Sequence, residues 1–214
     1  ATLCEAVGAD VNDVVLGMGY DSRIGREFLR PGPGWGGSCF PKDTRALARI
    51  AGDAGYDFSF LNEVLKVNEE QFDRTAVKII QSVDPTLGQG HVAVLGLTFK
   101  AGTDDLRDSP AIEILKRVTA AGVQVKAYDP AVLVEDGNLA RAYPELDIEV
   151  VDDAYAAAEG ASSLAILTEW DEFTWLDFDK LAEIMAGKNI VDARNLLDDT
   201  IPRRRGFNYR GIGR

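Results

Sequence analysis

Apolar positions change their period once along the chain. Up to about residue 84 they recur at three- and four-residue spacing, and Phe60, Leu61, Val64, Leu65, Val67, Phe72, Ala76, Ile79, Ile80 and Val83 form one long helical stripe ending at Asp84-Pro85. Shorter helices are predicted at Val11–Met18, capped by Asp10 or Asn12, and from Pro41 to about Ala54, where proline suits the first helical position. Thr2–Gly8 reads as the last two turns of a helix already under way. From about residue 90 the pattern becomes strand, then helix. Strands are predicted at His91–Gly96, Val123–Tyr128, Ile148–Val151 and Ser163–Leu167, with a last one at Asn189–Val191. Helices are predicted from Ser109, an N-cap followed by Pro110, and at Ala154–Glu159 and Phe178–Ala186. This alternation implies an α/β fold: an all-helical region over 1–86, then a doubly wound parallel sheet over 87–214. Ligands of such sheets bind beyond the carboxyl ends of the strands. Phe99-Lys100, Asp129-Pro130, Thr168-Glu169-Trp170 and Asp192-Ala193-Arg194 all follow predicted strands.

The formal net charge of −12 argues against nucleic acid or an anionic membrane as a general partner, so any bound phosphate must be held by local cations and backbone N–H groups. No apolar run approaches the ~20 residues that span a bilayer. Two cysteines in unequal contexts make no disulfide framework, and a soluble cytoplasmic protein is expected. The only histidine, His91, opens a strand and Cys4 has the setting of a core residue. With no His/Cys/Asp cluster at ligand spacing and no Ser/His/Asp set, neither a metal site nor a hydrolase triad is expected.

The densest chemistry is in Gly34-Trp35-Gly36-Gly37-Ser38-Cys39-Phe40-Pro41-Lys42-Asp43. A glycine-rich turn delivers Cys39 to the positive end of a helix dipole, three residues before Lys42, and both features favour thiolate over thiol. The glycines leave room for a substrate to approach the backbone. A lone cysteine is more often a buried structural residue, but this context favours a nucleophile. Asp43, one helical turn on, is either a water-activating carboxylate or a complement to the helix dipole. Lys100 and Arg107 have the setting of phosphate ligands, although Arg107 stands among Asp104, Asp105 and Asp108 and an internal ion pair explains it equally well.

This decapeptide resembles the catalytic-cysteine segment of the UDP-glucose/GDP-mannose dehydrogenases. Further resemblances follow in the family's order: Asp21–Gly25 before it, then Gly96–Pro110, Tyr128-Asp129-Pro130, Thr168-Glu169-Trp170, Asp192–Asn195 and Gly211–Arg214 after it. The resemblance implies an NAD-dependent four-electron oxidation of a sugar-nucleotide alcohol to a carboxylate, with Cys39 as nucleophile and Asp43 as its catalytic aspartate. It implies contacts to the nucleotide sugar from Arg30, Pro31, Gly32, Pro33, Gly34, Trp35 and Gly36, from Phe99 and Lys100, and from Arg194. Arg23 matches an arginine that crosses a dimer interface into the neighbour's site. Cys39, Phe40, Pro41, Lys42 and Arg107 match positions on the NAD side. Trp35 departs from the phenylalanine or tyrosine expected there.

The resemblance also implies a Rossmann-like C-terminal domain and a helical dimerisation region, so a homodimer or higher oligomer is expected. The long apolar stripe suits that role or an internal core helix alike. A Gly-x-Gly-x-x-Gly turn for NAD is not found, since Gly17-Met18-Gly19 follows no strand. The chain is therefore expected to be the C-terminal part of a longer enzyme, silent alone, with most of the NAD held elsewhere. The motifs resemble the UDP-glucose branch most. GDP-mannose, UDP-N-acetylmannosamine and a non-catalytic nucleotide-sugar binder are the alternatives.

Overall fold

The computed structural model of the chain describes residues 1–214 except Gln89 and Asp136. Four helices lead: α1 (Thr2–Val7), α2 (Val11–Gly19), α3 (Phe40–Asp53) and α4 (Ser59–Ser82). Asp10 caps α2 by accepting from the Asn12 N–H, which selects between the two predicted caps. Strands β1 (His91–Leu95), β2 (Gln124–Tyr128), β3 (Glu149–Val150), β4 (Ser163–Ile166), β5 (Asn189–Asp192) and β6 (Asn208–Arg210) follow, with α5 (Pro110–Ala120), α6 (Asn138–Ala142), α7 (Ala154–Ala158), α8 (Phe178–Ile184) and α9 (Thr200–Arg204) between them. All strand pairs are parallel, in the order β3-β2-β1-β4-β5-β6.

The prediction that Asn189–Val191 is the last strand is corrected: β6 pairs beyond it through Ile190 and Tyr209. Three residues with one buried side chain leave too short a pattern to read. At α5 the reading was close, for Ser109 is the N-cap and its hydroxyl accepts from the Ala111 N–H, with Pro110 at the first position.

Alternation along β1 sorts two cores. Val92 and Val94 face α4, α5 and Val118, whereas Ala93 and Leu95 face α7, α8 and Phe173. Helix α4 serves two settings. Its second half buries Phe72, Ala76 and Ile79 in the sheet's core, while Phe60, Val64 and Val67 of its first half stay exposed. Arg117 of α5 pairs with Glu69 and Asp73, which fixes α4 along the sheet. At the other end, the Ser82 hydroxyl lies 2.7 Å from that of Ser163, and the Asn189 amide donates to the Ser82 carbonyl.

His91 opens β1 fully buried, with Nε2 3.2 Å from the Ala157 carbonyl. Burial pushes its imidazole below the ordinary histidine value. Because the unfolded chain then binds the proton that the folded one refuses, stability is present above pH ~6.5 and lost as pH falls below it. Urea unfolding at stepped pH is expected to show this loss, with a flatter profile in His91→Gln. Equal slopes for the two proteins between pH ~6.5 and ~5 would assign the acid sensitivity to other groups.

Candidate active site

Each ligand-type residue read from the sequence after a strand lies at the carboxyl edge of the sheet. Gly96 leaves β1 at φ +96°, and a Cβ there would stand 2.4 Å from that of Thr168, so only glycine lets the two strand ends meet. Asp129, beyond β2, is buried and holds this edge: Oδ2 accepts from the Leu97 and Thr98 N–H groups and from Trp170 Nε1. The Thr168 hydroxyl donates to the Thr98 carbonyl at 2.6 Å. The Asp129 and Thr168-Glu169-Trp170 motifs thus tie strand ends together.

The loop from β1 to α5 carries Arg107 and the seat of the Cys39 loop. Phe99 N–H donates to the Asp105 carbonyl and closes the turn. Asp105 then accepts both Nε and NH2 of Arg107, at 2.9 and 2.8 Å. This bidentate pair holds the Asp105 carboxyl below the usual carboxylate range and raises the Arg107 guanidinium. The Arg107 side chain nevertheless stays 73% exposed, oriented and open to an anion. Asp108 follows at φ +47°, and its carbonyl accepts from the Gly37 N–H at 3.1 Å, which docks the cysteine loop onto this segment.

Cys39 is the N-cap residue of α3, exposed, with no side-chain cap bond; its sulfur lies 3.8 Å from the Ser38 hydroxyl. Pro41 is the second helical residue and not the first as predicted, because α3 begins at Phe40 directly after Cys39. Hydrogen bonding to Asp43 raises the Lys42 ammonium, with a smaller pull from Cys39, and Arg107 feels the same sulfur. The structure therefore brings Cys39, Lys42 and Arg107 into one electrostatic neighbourhood. Asp43 donates its N–H to the Cys39 carbonyl one turn away, while its carboxylate pairs with Lys42 at 2.8 Å. Phe40 is exposed, edge-on to Trp35 at 5.5 Å between centroids.

The glycines preceding Cys39 have close protein neighbours. A Cβ on Gly34 would stand 2.4 Å from the Phe72 ring, one on Gly36 2.0 Å from the Asp108 carbonyl, and one on Gly37 2.9 Å from the Phe99 ring. Their missing side chains admit protein neighbours, and so seat the loop. Two α4 side chains hold its other end. Asn68 accepts from the Trp35 N–H and donates to the Trp35 carbonyl, and Gln71 donates to the Gly32 carbonyl. Neither was singled out in the sequence, yet a signal existed: Asn68 falls between Val64 and Phe72 in the stripe, where a buried amide demands partners.

Arg194, beyond β5, is held by groups from three residues. Nε donates to the Leu167 carbonyl at 2.8 Å and stands 3.1 Å from Glu169 Oε2, and NH2 donates to the Phe99 carbonyl at 3.3 Å. Burial lowers its guanidinium from the ordinary arginine value, with Glu169 and Asp192 acting in the opposite direction. NH1 points toward Gly32. Arg194, Arg30 and Pro31 line both an open groove of about 860 Å³ and a 410 Å³ cavity, and Gly32, Gly34 and Trp35 continue the groove. Pro33 is buried within that loop. Lys100 is exposed, its ammonium 5.3 Å from the Phe99 ring centre. Arg23 is paired with Asp21 at the surface and lines neither Arg194 cavity. No described group of three His, Cys, Asp or Glu is arranged to hold a metal, and no described helix is long and apolar enough to cross a membrane.

A six-stranded parallel sheet with helices on both faces and polar motifs gathered at its carboxyl edge defines the Rossmann-like fold of the nucleotide-binding dehydrogenases. The chain belongs to the UDP-glucose/GDP-mannose dehydrogenase family, whose central domain matches residues 1–70 and whose UDP binding domain matches residues 93–199. It is 44% identical to a UDP-glucose 6-dehydrogenase of Rhizobium meliloti and 41% to UDP-glucose 6-dehydrogenase TuaD of Bacillus subtilis, all of this chain aligning with 48% and 45% of theirs. The chain thus spans about half the length of the curated relatives it matches. Among solved structures, a UDP-glucose dehydrogenase from Pyrobaculum islandicum superposes with a TM-score of 0.75 at 31% identity, over 97% of this chain and 44% of that one. An NDP-N-acetyl-D-galactosaminuronic acid dehydrogenase from Methanosarcina mazei superposes with a TM-score of 0.81 at 27% identity, over 100% of this chain and 46% of that one.

Proposed function

We propose that this chain is the C-terminal part of an NAD-dependent UDP-glucose 6-dehydrogenase, which converts UDP-glucose to UDP-glucuronate. Helical residues 1–86 carry the nucleophile and sheet residues 87–214 the nucleotide site. The observation that carries this reading is the docking of the Cys39 loop, through Gly37 and Asp108, onto the segment that holds Arg107. A thiol on a helix N-terminus thereby stands next to cations at a sheet edge suited to phosphate.

In the reaction, NAD supplies the hydride acceptor for both oxidations. Exposed Lys42 and Arg107, with Phe40 and Pro41 beside them, are the groups of this chain that would hold its near end. Removal of a hydride and a proton from the sugar alcohol gives an aldehyde. The Cys39 thiolate adds to its carbonyl carbon, forming a C–S bond and a thiohemiacetal; a second hydride loss leaves a thioester. Water attacks the acyl carbon, the C–S bond breaks, and the carboxylate leaves with the thiol regenerated. Asp43 is placed one turn along α3 to take the proton from that water. Lys100 and Arg194 hold the pyrophosphate, with loop 30–36 around the sugar. A second copy of the chain covers the groove between α2 and α4, where Val14, Met18, Phe60 and Val67 are exposed.

Calorimetric titration of the chain with UDP, UDP-glucose, GDP-mannose and NAD in parallel tests this. UDP and UDP-glucose are expected to bind at least ~10-fold more tightly than GDP-mannose or NAD. A preference for GDP-mannose would keep the chemistry and overturn the substrate. Equal or no binding of all four would remove Arg194 and Lys100 from their assigned roles.

A further inference from the structure

The closing segment Gly211-Ile212-Gly213-Arg214 is accounted for by no step above, yet it is among the most heavily bonded stretches of the chain. It leaves β6 and crosses from the sheet to the helical region. On the helical side, the Gly211 carbonyl accepts from Lys78 Nζ of α4, and the Gly213 carbonyl from the Val11 N–H of α2. Glu5 of α1 accepts from the Gly213 N–H at 2.6 Å and also pairs with Lys78. Arg214 pairs with Asp199 and lies 3.8 Å from Asp10. On the sheet side Asp199 takes the Arg214 guanidinium, and Asn195 takes the backbone. Asn195 Nδ2 donates to the Ile212 carbonyl, and Oδ1 accepts from the Ile212 N–H, both at 2.9 Å.

Asn195 directly follows Arg194 and adopts φ +50°, a left-handed conformation that non-glycine residues rarely keep unless their surroundings enforce it. Gly211 is the complement: a Cβ there would stand 2.4 Å from Asn195 Oδ1. Asn195 also shares the 410 Å³ cavity with Arg30, Pro31, Glu169 and Arg194. Its main chain sets where the Arg194 side chain departs from the backbone. The 211–214 segment, in turn, is bonded to the same helices that present loop 30–32 to that side chain.

We propose that Asn195, held by the Ile212 backbone, is a positioning residue that fixes the Arg194 guanidinium against loop 30–32 and so sets affinity for the nucleotide diphosphate. The assignment rests on the reading of Arg194 as a phosphate ligand. Its separable content is that the clamp, and not only Glu169, immobilises Arg194.

Two variants of the whole chain test it. Asn195→Gly keeps the left-handed backbone available and removes both bonds. Gly211→Ala attacks the same clamp from the opposite side and leaves Asn195 itself intact. Two readouts are taken on each: solvent exchange of the Arg194 Nε–H by NMR without ligand, and UDP affinity by calorimetry. Both variants are expected to speed that exchange and to weaken UDP about 10-fold, the scale of losing a pair of neutral hydrogen bonds. Unchanged exchange, or faster exchange with unaltered affinity in a chain that binds UDP, overturns the proposal. A merely structural clamp would lower the melting temperature and leave the Arg194 signal alone, which also overturns it. Faster exchange in a chain whose parent binds no UDP would uphold the clamp and reject the phosphate role of Arg194.

Discussion

Cys39→Ala, placed in a complete enzyme built on this chain, is expected to lower uronate formation by about three orders of magnitude or more, the scale of removing a covalent nucleophile. The fold should not notice. Cys39 is exposed, caps nothing with its side chain, and its sulfur lies 3.8 Å from the Ser38 hydroxyl, so the melting temperature should match the parent. UDP affinity should also hold, because the cations assigned to phosphate lie on other segments. The stoichiometry is the sharper readout. The first hydride transfer needs no thiol, so reduced cofactor per sugar consumed should fall from two toward one, with the aldehyde trapped by a hydrazine. A variant that keeps a tenth of the parent's uronate production would move the nucleophile elsewhere. Cys4, buried on α1, is the contrasting case: its loss should show in stability and not in chemistry.

Most stretches were legible in the sequence, the short β3 and α7 among them, whereas β6, α6 and α9 were not. The stripe of α4 and the Ser109-Pro110 start of α5 follow from side-chain spacing and cap chemistry, which act locally. β6 and α6 span three and five residues, and their existence is decided by what they pack against. The same division runs through the site. Cys39 could be read from its glycines and Pro41, and Arg194 from its place after a strand. That Arg107 would share Cys39's neighbourhood depends on the Asp108 carbonyl meeting the Gly37 N–H, a contact across most of the chain's two halves. Two roles, of buried Asn68 and half-buried Asn195, were missed for one reason: these side chains act on backbone groups elsewhere along the chain, at Trp35 and Ile212. A polar residue on an apolar stripe announces that a partner exists, but not which one.

The second large effect expected concerns Gly36. A methyl group there would be placed 2.0 Å from the Asp108 carbonyl oxygen and 2.7 Å from Pro110 Cδ, and neither can yield cheaply. Asp108 is already held at φ +47° while its carbonyl takes the Gly37 N–H, and Pro110 is locked into the first turn of α5. Relief therefore has to come from the loop, which would lift from the sheet and carry Cys39 away from Arg107. Gly36→Ala is expected to cost about 1–3 kcal/mol of stability, as overpacked sites do. In a complete enzyme it should also lower kcat by about 100-fold, the scale of an ångström's misplacement of a reacting group. Gly17→Ala is the control, since no neighbour lies within 4 Å of its built Cβ and it sits inside α2. That variant should gain roughly 0.5–1 kcal/mol, because alanine gives up less freedom than glycine on entering a helix. Urea unfolding of both variants decides between the two explanations of the loop's glycines. If Gly36→Ala unfolds like the parent but loses sugar binding, the glycine is kept for substrate. If stability and thiol placement fail together, it is kept for the protein's own carbonyl, and the glycine run is then a seat for the nucleophile.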